Sequence, residues 1–214
     1  MKMKRIRLIL LLVGILFIFA GIYFAVYGIP GTTPRFGVID ESILIQIPQG
    51  ALPADTLYIS EGRRQYTQGK MTLIIPSIDV YTPVGESTEP DGLKEMPGLY
   101  EFSQLPDIGD VNVSIAGHRD IYDQIFLHTD QIASGDYAYL LYGDMVYRYI
   151  YRDTKIVKPN NWDVIKPQGF SCLTLTTCDP VGTTLNRLIV RLELIDYQPY
   201  SEDYQFLNTE NPLP

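Results

Sequence analysis

Cysteine and histidine each occur only twice in the 214 residues. That scarcity removes whole classes of site. Two histidines and two separated cysteines give too few ligands for a structural zinc site, and no cofactor-binding motif appears elsewhere. Basic residues are the minority sign, 17 against 25 acidic, for a formal net charge of −8. A surface of that sign repels nucleic acid, so no nucleic-acid partner is expected. There is no internal repeat and no glycine-rich loop of the kind that cradles phosphate. Charge is missing altogether from Leu8 to Ile29, a run of 22 residues.

That uncharged run is long enough to cross a bilayer. It follows Lys2, Lys4, Arg5 and Arg7 and stays bulky and apolar almost to its end, unlike a cleavable signal, so it reads as an uncleaved anchor. By the positive-inside rule, residues 1–7 form a cytoplasmic tip and the remainder lies outside a cell membrane crossed once. Residues 30–70, rich in Pro, Gly, Thr and Gln, read as an extracytoplasmic stem that could serve as a lid. No second membrane span follows. Cysteines in an exported chain usually pair, but Cys172 and Cys178 fall in one extended run. Six residues at about 3.3 Å each separate them by some 20 Å, beyond the reach of a disulfide. Both thiols are therefore expected to be free, which is unusual outside the membrane.

From Met71 the chain breaks into short runs of Val, Ile, Leu and Tyr divided by turn residues. These include "MTLIIP", "VNVSIAG", "YAYLLYGDMVYRYIY", "CLTLTTC" and "RLIVRLELI", and their spacing suggests a barrel or a sandwich. Gly143-Asp144 reads as a hairpin turn, and Ser134 to Asp136 as the turn before it. Only Arg119 to Ile132 carries apolar spacing that suits a short helix. A domain over residues 71–196 is thus expected, with a polar tail at 197–214.

Alternation along a strand divides its residues between two faces. In "CLTLTTC", Leu173 and Leu175 share one parity while Cys172, Thr174, Thr176 and Cys178 share the other. In "RLIVRLELI" the core parity is Leu188, Val190, Leu192 and Leu194, which sends Arg187 to the opposite face. In "VNVSIAGH", Val111, Val113 and Ile115 leave His118 opposite the core as well. A Cys, a His and an Arg on the non-core face make the set that thiol acyl transfer requires. They supply a thiolate to attack a carbonyl, an imidazole to exchange protons and a fixed cation for developing negative charge.

These residues resemble the sortases, the membrane-anchored cysteine transpeptidases of bacterial cell surfaces. The resemblance rests on "TLTTC" at Thr174 to Cys178, on Arg187 after a gap of eight residues in "NRLIVR", and on "AGHRD" at Ala116 to Asp120. "IIPSIDVYTPV" and "FLHTDQIASGDY" add to it, and it covers roughly Met71 to Ile195. It implies an all-β fold, an eight-stranded β-barrel with short helices behind the transmembrane helix. The implied reaction has two steps: Cys178 attacks the Thr–Gly bond of a sorting signal similar to Leu-Pro-X-Thr-Gly on a secreted protein, and an amine resolves the thioacyl enzyme. His118 would serve as acid and then base, Arg187 would hold the substrate backbone or the oxyanion, and Thr177 is a candidate oxyanion donor. Asp120 could orient His118, although a turn or cap role suits it better. Arg119 reads as a structural or surface charge, and Cys172 as dispensable. Tyr66, Tyr100 and Trp162 are candidates to line a peptide groove. The gap from Cys178 to Arg187, with Gly182 in it, is most similar to the pilin-polymerising group, but that group's common second span is missing. The acceptor is therefore either a peptidoglycan-precursor amine or a pilin lysine. The competing readings are a non-catalytic anchored barrel that binds a partner and another cell-wall thiol transpeptidase or peptidase.

Overall fold

The computed structural model describes residues 59–208; the expected anchor and most of the stem lie outside the described residues. Among the described residues no helix is long and apolar enough to cross a membrane. Eight strands make one sheet: β1 (Met71–Ile75), β2 (Val80–Pro83), β3 (Gly98–Leu99), β4 (Asn112–Ala116), β5 (Tyr137–Tyr142), β6 (Met145–Val157), β7 (Cys172–Asp179) and β8 (Asn186–Pro199). Their order is β2-β1-β5-β6-β8-β7-β4-β3. All neighbours are antiparallel except β4 and β7, which run parallel.

Two features curl this sheet toward closure. Irregularities in the β6–β8 register fall between Arg148 and Tyr149 and between Tyr151 and Asp153, and bulges of this kind bend and twist the longest strands. At the free edges, the amide of Gly85, just past β2, donates to the carbonyl of Pro97, and the amide of Leu99 donates to that of Gly85. A parallel bridge from Gly85 to Gly98 results. Gly98 must be small here: a Cβ on it would lie 1.8 Å from the Ser87 carbonyl oxygen.

Inside the curl, Leu73, Ile75, Val113, Ile115, Leu173, Leu175, Leu188, Val190 and Leu192 form the main core. This is the apolar parity that alternation assigns. The Gly143-Asp144 turn joins β5 to β6 as expected, with Gly143 in the left-handed region at φ 60°. The helix expected over Arg119 to Ile132 is absent. Tyr122 and Gln124 have φ of 56° and 52°, which no right-handed helix accommodates. Only a 3₁₀ turn at Thr129–Gln131 forms there.

The folded body also begins before β1. A short helix, α1 (Glu61–Arg64), capped by the Ser60 hydroxyl, carries Arg63 into a buried position. There its guanidinium donates to the carbonyls of Glu86, Leu99 and Tyr100. Tyr66 joins the main core and donates its hydroxyl to the Val84 carbonyl. At the other end Tyr204 and Phe206 pack their rings against Tyr139, so the polar tail supplies two aromatic contacts to the outside of β5.

Candidate active site

The parallel pairing of β4 with β7 aligns the site. Ala116 stands opposite Thr176, and the Gly117 amide donates to the Thr176 carbonyl one step later. His118 therefore leaves β4 level with Cys178. On the other side of β7, Cys178 is the register partner of Arg187 on β8. His118, Cys178 and Arg187 thus occupy one row across three adjacent strand paths, which lie about 4.8 Å apart. "GH", "TC" and "NR" achieve this because each ends or begins a strand whose apolar residues face the main core. The polar members are left on the opposite face.

That opposite face is not open. Cys178 is 3% exposed, His118 5% and Arg187 7%. A second apolar cluster of Leu93, Tyr100, Ala116, Ile165 and Cys178, with Phe102, Trp162 and Val164 against it, covers the row. Apart from Leu93, which precedes β3, the cover comes from two irregular segments. One leaves β3 at Tyr100, whose amide donates to the Ser114 carbonyl. The other is the β6–β7 connection, with a 3₁₀ turn at Trp162–Ile165. It is pinned to β4 by the Asn112 side-chain amide, which donates to the carbonyls of Val164 and Lys166. Beside Arg187 a narrow cleft, with about 10 Å³ of free volume, is lined by Tyr100, Trp162, Val164, Ile165, Thr176 and Ile189, among others.

Burial sets the charge state. Desolvation pushes the Cys178 thiol above its ordinary 9.0, and Asp120 adds to the rise, while Arg187 and Arg119 pull the other way. Desolvation also holds the His118 imidazole below 6.5, against the pull of Asp120. Between those limits the neutral thiol and neutral imidazole dominate. No hydrogen bond joins the two, and His118 Nε2 is buried without a partner. Such contacts often tighten only when substrate is bound. Cys172, at the far end of the same strand, is pushed up to about 11, again chiefly by burial. Both cysteines are free and buried.

The two further candidates, Thr177 and Asp120, make no hydrogen bond to Cys178 or His118. Thr177 lies on the main-core parity of β7, and its hydroxyl donates to the Gly117 carbonyl at 2.8 Å, so its side chain is turned away from the thiol. Asp120 makes no hydrogen bond to His118. Its carbonyl accepts from Gln124, and its carboxylate acts on the site only by charge. Of the three aromatic candidates, Tyr100 and Trp162 meet edge to face at 6.2 Å and line the cleft, whereas Tyr66 does not. Tyr100 is the residue that alternation could not single out: it lines the cleft beside Thr176, and burial pushes its hydroxyl to about 12. His128 is exposed and meets Gln131.

A family model of the sortase domain matches residues 73–195. Among curated proteins, the chain is 34% identical over 129 residues to Sortase D of Bacillus subtilis (strain 168), covering 58% of this chain and 62% of that protein. It is 29% identical over 160 residues to Sortase SrtE1 of Streptomyces coelicolor, covering 67% of this chain and 45% of that one. Among solved structures, Sortase C-3 of Streptococcus pneumoniae superposes with a TM-score of 0.58 at 30% identity, over 61% of this chain and 64% of that chain. The chain spans less than two thirds of the length of each of these relatives.

Proposed function

Because the chain belongs to the sortase family, we propose that it is a cysteine transpeptidase whose catalytic row is Cys178, His118 and Arg187. The observation that carries this reading is the row itself. A thiol is paired in register with an arginine, and a histidine lies level with it on the neighbouring strand path.

In the proposed reaction the thiolate of Cys178 attacks the Thr carbonyl carbon of a Leu-Pro-X-Thr-Gly-like signal on a secreted protein. The carbonyl oxygen takes up the electron pair beside the Arg187 guanidinium. Collapse breaks the Thr–Gly bond, and the His118 imidazolium gives its proton to the departing amine, leaving a thioacyl enzyme and a neutral imidazole. An acceptor amine, from a peptidoglycan precursor or a pilin lysine, then attacks the thioester. His118 takes the proton from the attacking nitrogen, and Cys178 leaves as the thiolate. The apolar, aromatic cleft beside Arg187 suits the Leu and Pro of such a signal. Because the neutral pair dominates, the ionised pair is a minor population and turnover is expected to be slow. The proposed location is the outer face of a cell membrane, held by residues 8–29.

The test uses the full chain in mild detergent, a panel of Leu-Pro-X-Thr-Gly variants, and candidate amines. Intact-mass spectrometry should find a thioacyl adduct that Cys178→Ala abolishes and Cys172→Ala retains, with the acyl group passing to one amine. An alkylatable, folded Cys178 that no peptide acylates would reject this signal class. An unreactive Cys178 would favour the non-catalytic binding barrel.

A further inference from the structure

Beside the catalytic row lies a buried cation that the proposed reaction does not use. Arg119 follows His118 directly, and its side chain is 4% exposed. Its Nη1 donates to the Cys178 carbonyl at 3.3 Å and to Asp179 Oδ1 at 2.9 Å. Its Nη2 meets Asp130 Oδ1 at 3.0 Å, and its Nε donates to the Leu127 carbonyl at 3.4 Å. One planar guanidinium therefore ties together the residue after the histidine, the carbonyl of the cysteine itself, the carboxylate that follows that cysteine, and the 127–130 turn. A buried charge survives only when paired and hydrogen-bonded. This one has two carboxylates and two carbonyls.

We infer that Arg119 is a positioning residue, one that locks the Cys178 end of β7 to the His118 loop and neutralises Asp179 beside the thiol. The inference rests on the proposed roles of Cys178 and His118. The geometry explains why a flexible cation would not suffice. A lysine ammonium is a single point charge and cannot span Asp130, Asp179 and the Cys178 carbonyl together, whereas the guanidinium fork does so without rearrangement. The groups that bear on the thiol are Arg187 from β8, Arg119 and Asp120 from the loop after β4, and Tyr100 from the exit of β3. Removing Arg119 would leave Asp120 opposed by Arg187 alone at the thiol, and Asp179 without its guanidinium partner.

The experiment uses the full chain with Cys172→Ala, so that one thiol is read. The rate of iodoacetamide alkylation of Cys178 against pH is measured for Arg119, Arg119→Gln, Arg119→Lys and Arg119→Gln with Asp179→Asn, beside kcat, KM and Tm. Arg119→Gln should move the alkylation profile to higher pH and lower kcat by about tenfold to a hundredfold, the scale of a misplaced nucleophile. KM should stay within about twofold. Arg119→Lys should keep the profile near wild type yet lose kcat. Adding Asp179→Asn to Arg119→Gln should restore the profile without restoring kcat. A folded Arg119→Gln with unchanged profile and kcat would overturn the inference. So would activity losses in both variants that follow Tm while the profile stays still. If Arg119→Gln does not fold, Arg119→Lys carries the test alone: wild-type kcat there refutes positioning. Alkylation needs no sorting peptide, so failure of the transpeptidase reading leaves the charge coupling between Arg119 and Cys178 measurable on its own.

Discussion

Gly117 separates β4 from His118, and its missing side chain has a measurable value. A Cβ at this position would lie 2.7, 2.9 and 3.0 Å from three ring atoms of Phe126. Phe126 is fully buried, and its amide donates to the His118 carbonyl, so the ring cannot swing away without taking the histidine loop with it. Restoring ordinary contact requires a displacement of about 0.7 Å or more in a packed core, and overpacking of this kind costs about 1–3 kcal/mol. For a body of this size that corresponds to a Tm loss of roughly 3–10 °C. The catalytic effect should be larger in proportion, because a shift approaching 1 Å in a reacting group can lower the rate by about a hundredfold. The assay is a double-mutant cycle: Gly117→Ala, Phe126→Leu and the pair, each measured for Tm and kcat/KM. Phe126→Leu alone should destabilise through its cavity, and in the pair it should recover much of what Gly117→Ala lost. Wild-type Tm and kcat/KM in Gly117→Ala, or strictly additive losses in the pair, would refute this reasoning.

Other perturbations follow from the same packing. Asn112→Ala removes both anchors of the β6–β7 connection, so the cover should loosen and the Cys178 pKa should fall toward its ordinary range. A fall of one unit raises the thiolate fraction near pH 8 by about tenfold, read as faster alkylation with a lower Tm, and an unchanged rate would show that the cover does not depend on Asn112. Gly98→Ala should unseat the bridge to Gly85, since backbone rather than side chain blocks its Cβ; hydrogen exchange at Gly85 and Leu99 should quicken selectively, and uniform protection would count against the closure. His118 binds its proton less readily when folded than when unfolded, so the unfolded chain takes up more protons as pH falls below 6.5, and the stability present above that pH is progressively lost. Replacing His118 by Gln should flatten that part of the urea-stability profile, and an identical slope would disprove the shift.

Much of this arrangement was legible because β4, β7 and β8 are regular. Leucines 173 and 175 fix one face of β7, and that alone sends Cys178 to the other. The same rule would have withdrawn Thr177, which shares the leucine parity, had it been applied to oxyanion donation as strictly as to the thiol. The cover was not legible. Tyr100, Trp162 and Ile165 reach the row from segments without periodicity, so nothing in their spacing distinguishes a roof from a loop. The segment after His118 misled for a related reason. Ile121, Ile125, Phe126 and Ile132 recur at helical intervals, but left-handed residues at 122 and 124 turn the chain twice and deliver Phe126 beneath Gly117 instead. Arg119 reads from the sequence only as a structural or surface charge and Arg63 carries no signal at all, because spacing does not announce carbonyls at strand ends that converge on one buried guanidinium.

The cover also bears on how a neutral site could work as an ionic one. Burial opposes charge on Cys178 and on His118, which keeps the resting thiol protonated and unreactive toward solvent oxidants. Yet the low dielectric that disfavours either charge alone strengthens their attraction once both form. A peptide pressed against the aromatic cover beside Arg187 would widen this narrow cleft and keep water from the row, so it would favour the paired ions over isolated ones. His118 Nε2, buried and unpartnered, fits a group waiting for a partner that the free protein does not supply. Reactivity would then depend on occupancy of the cleft, with Arg119 and Gly117 holding the two reacting residues in line until it is filled.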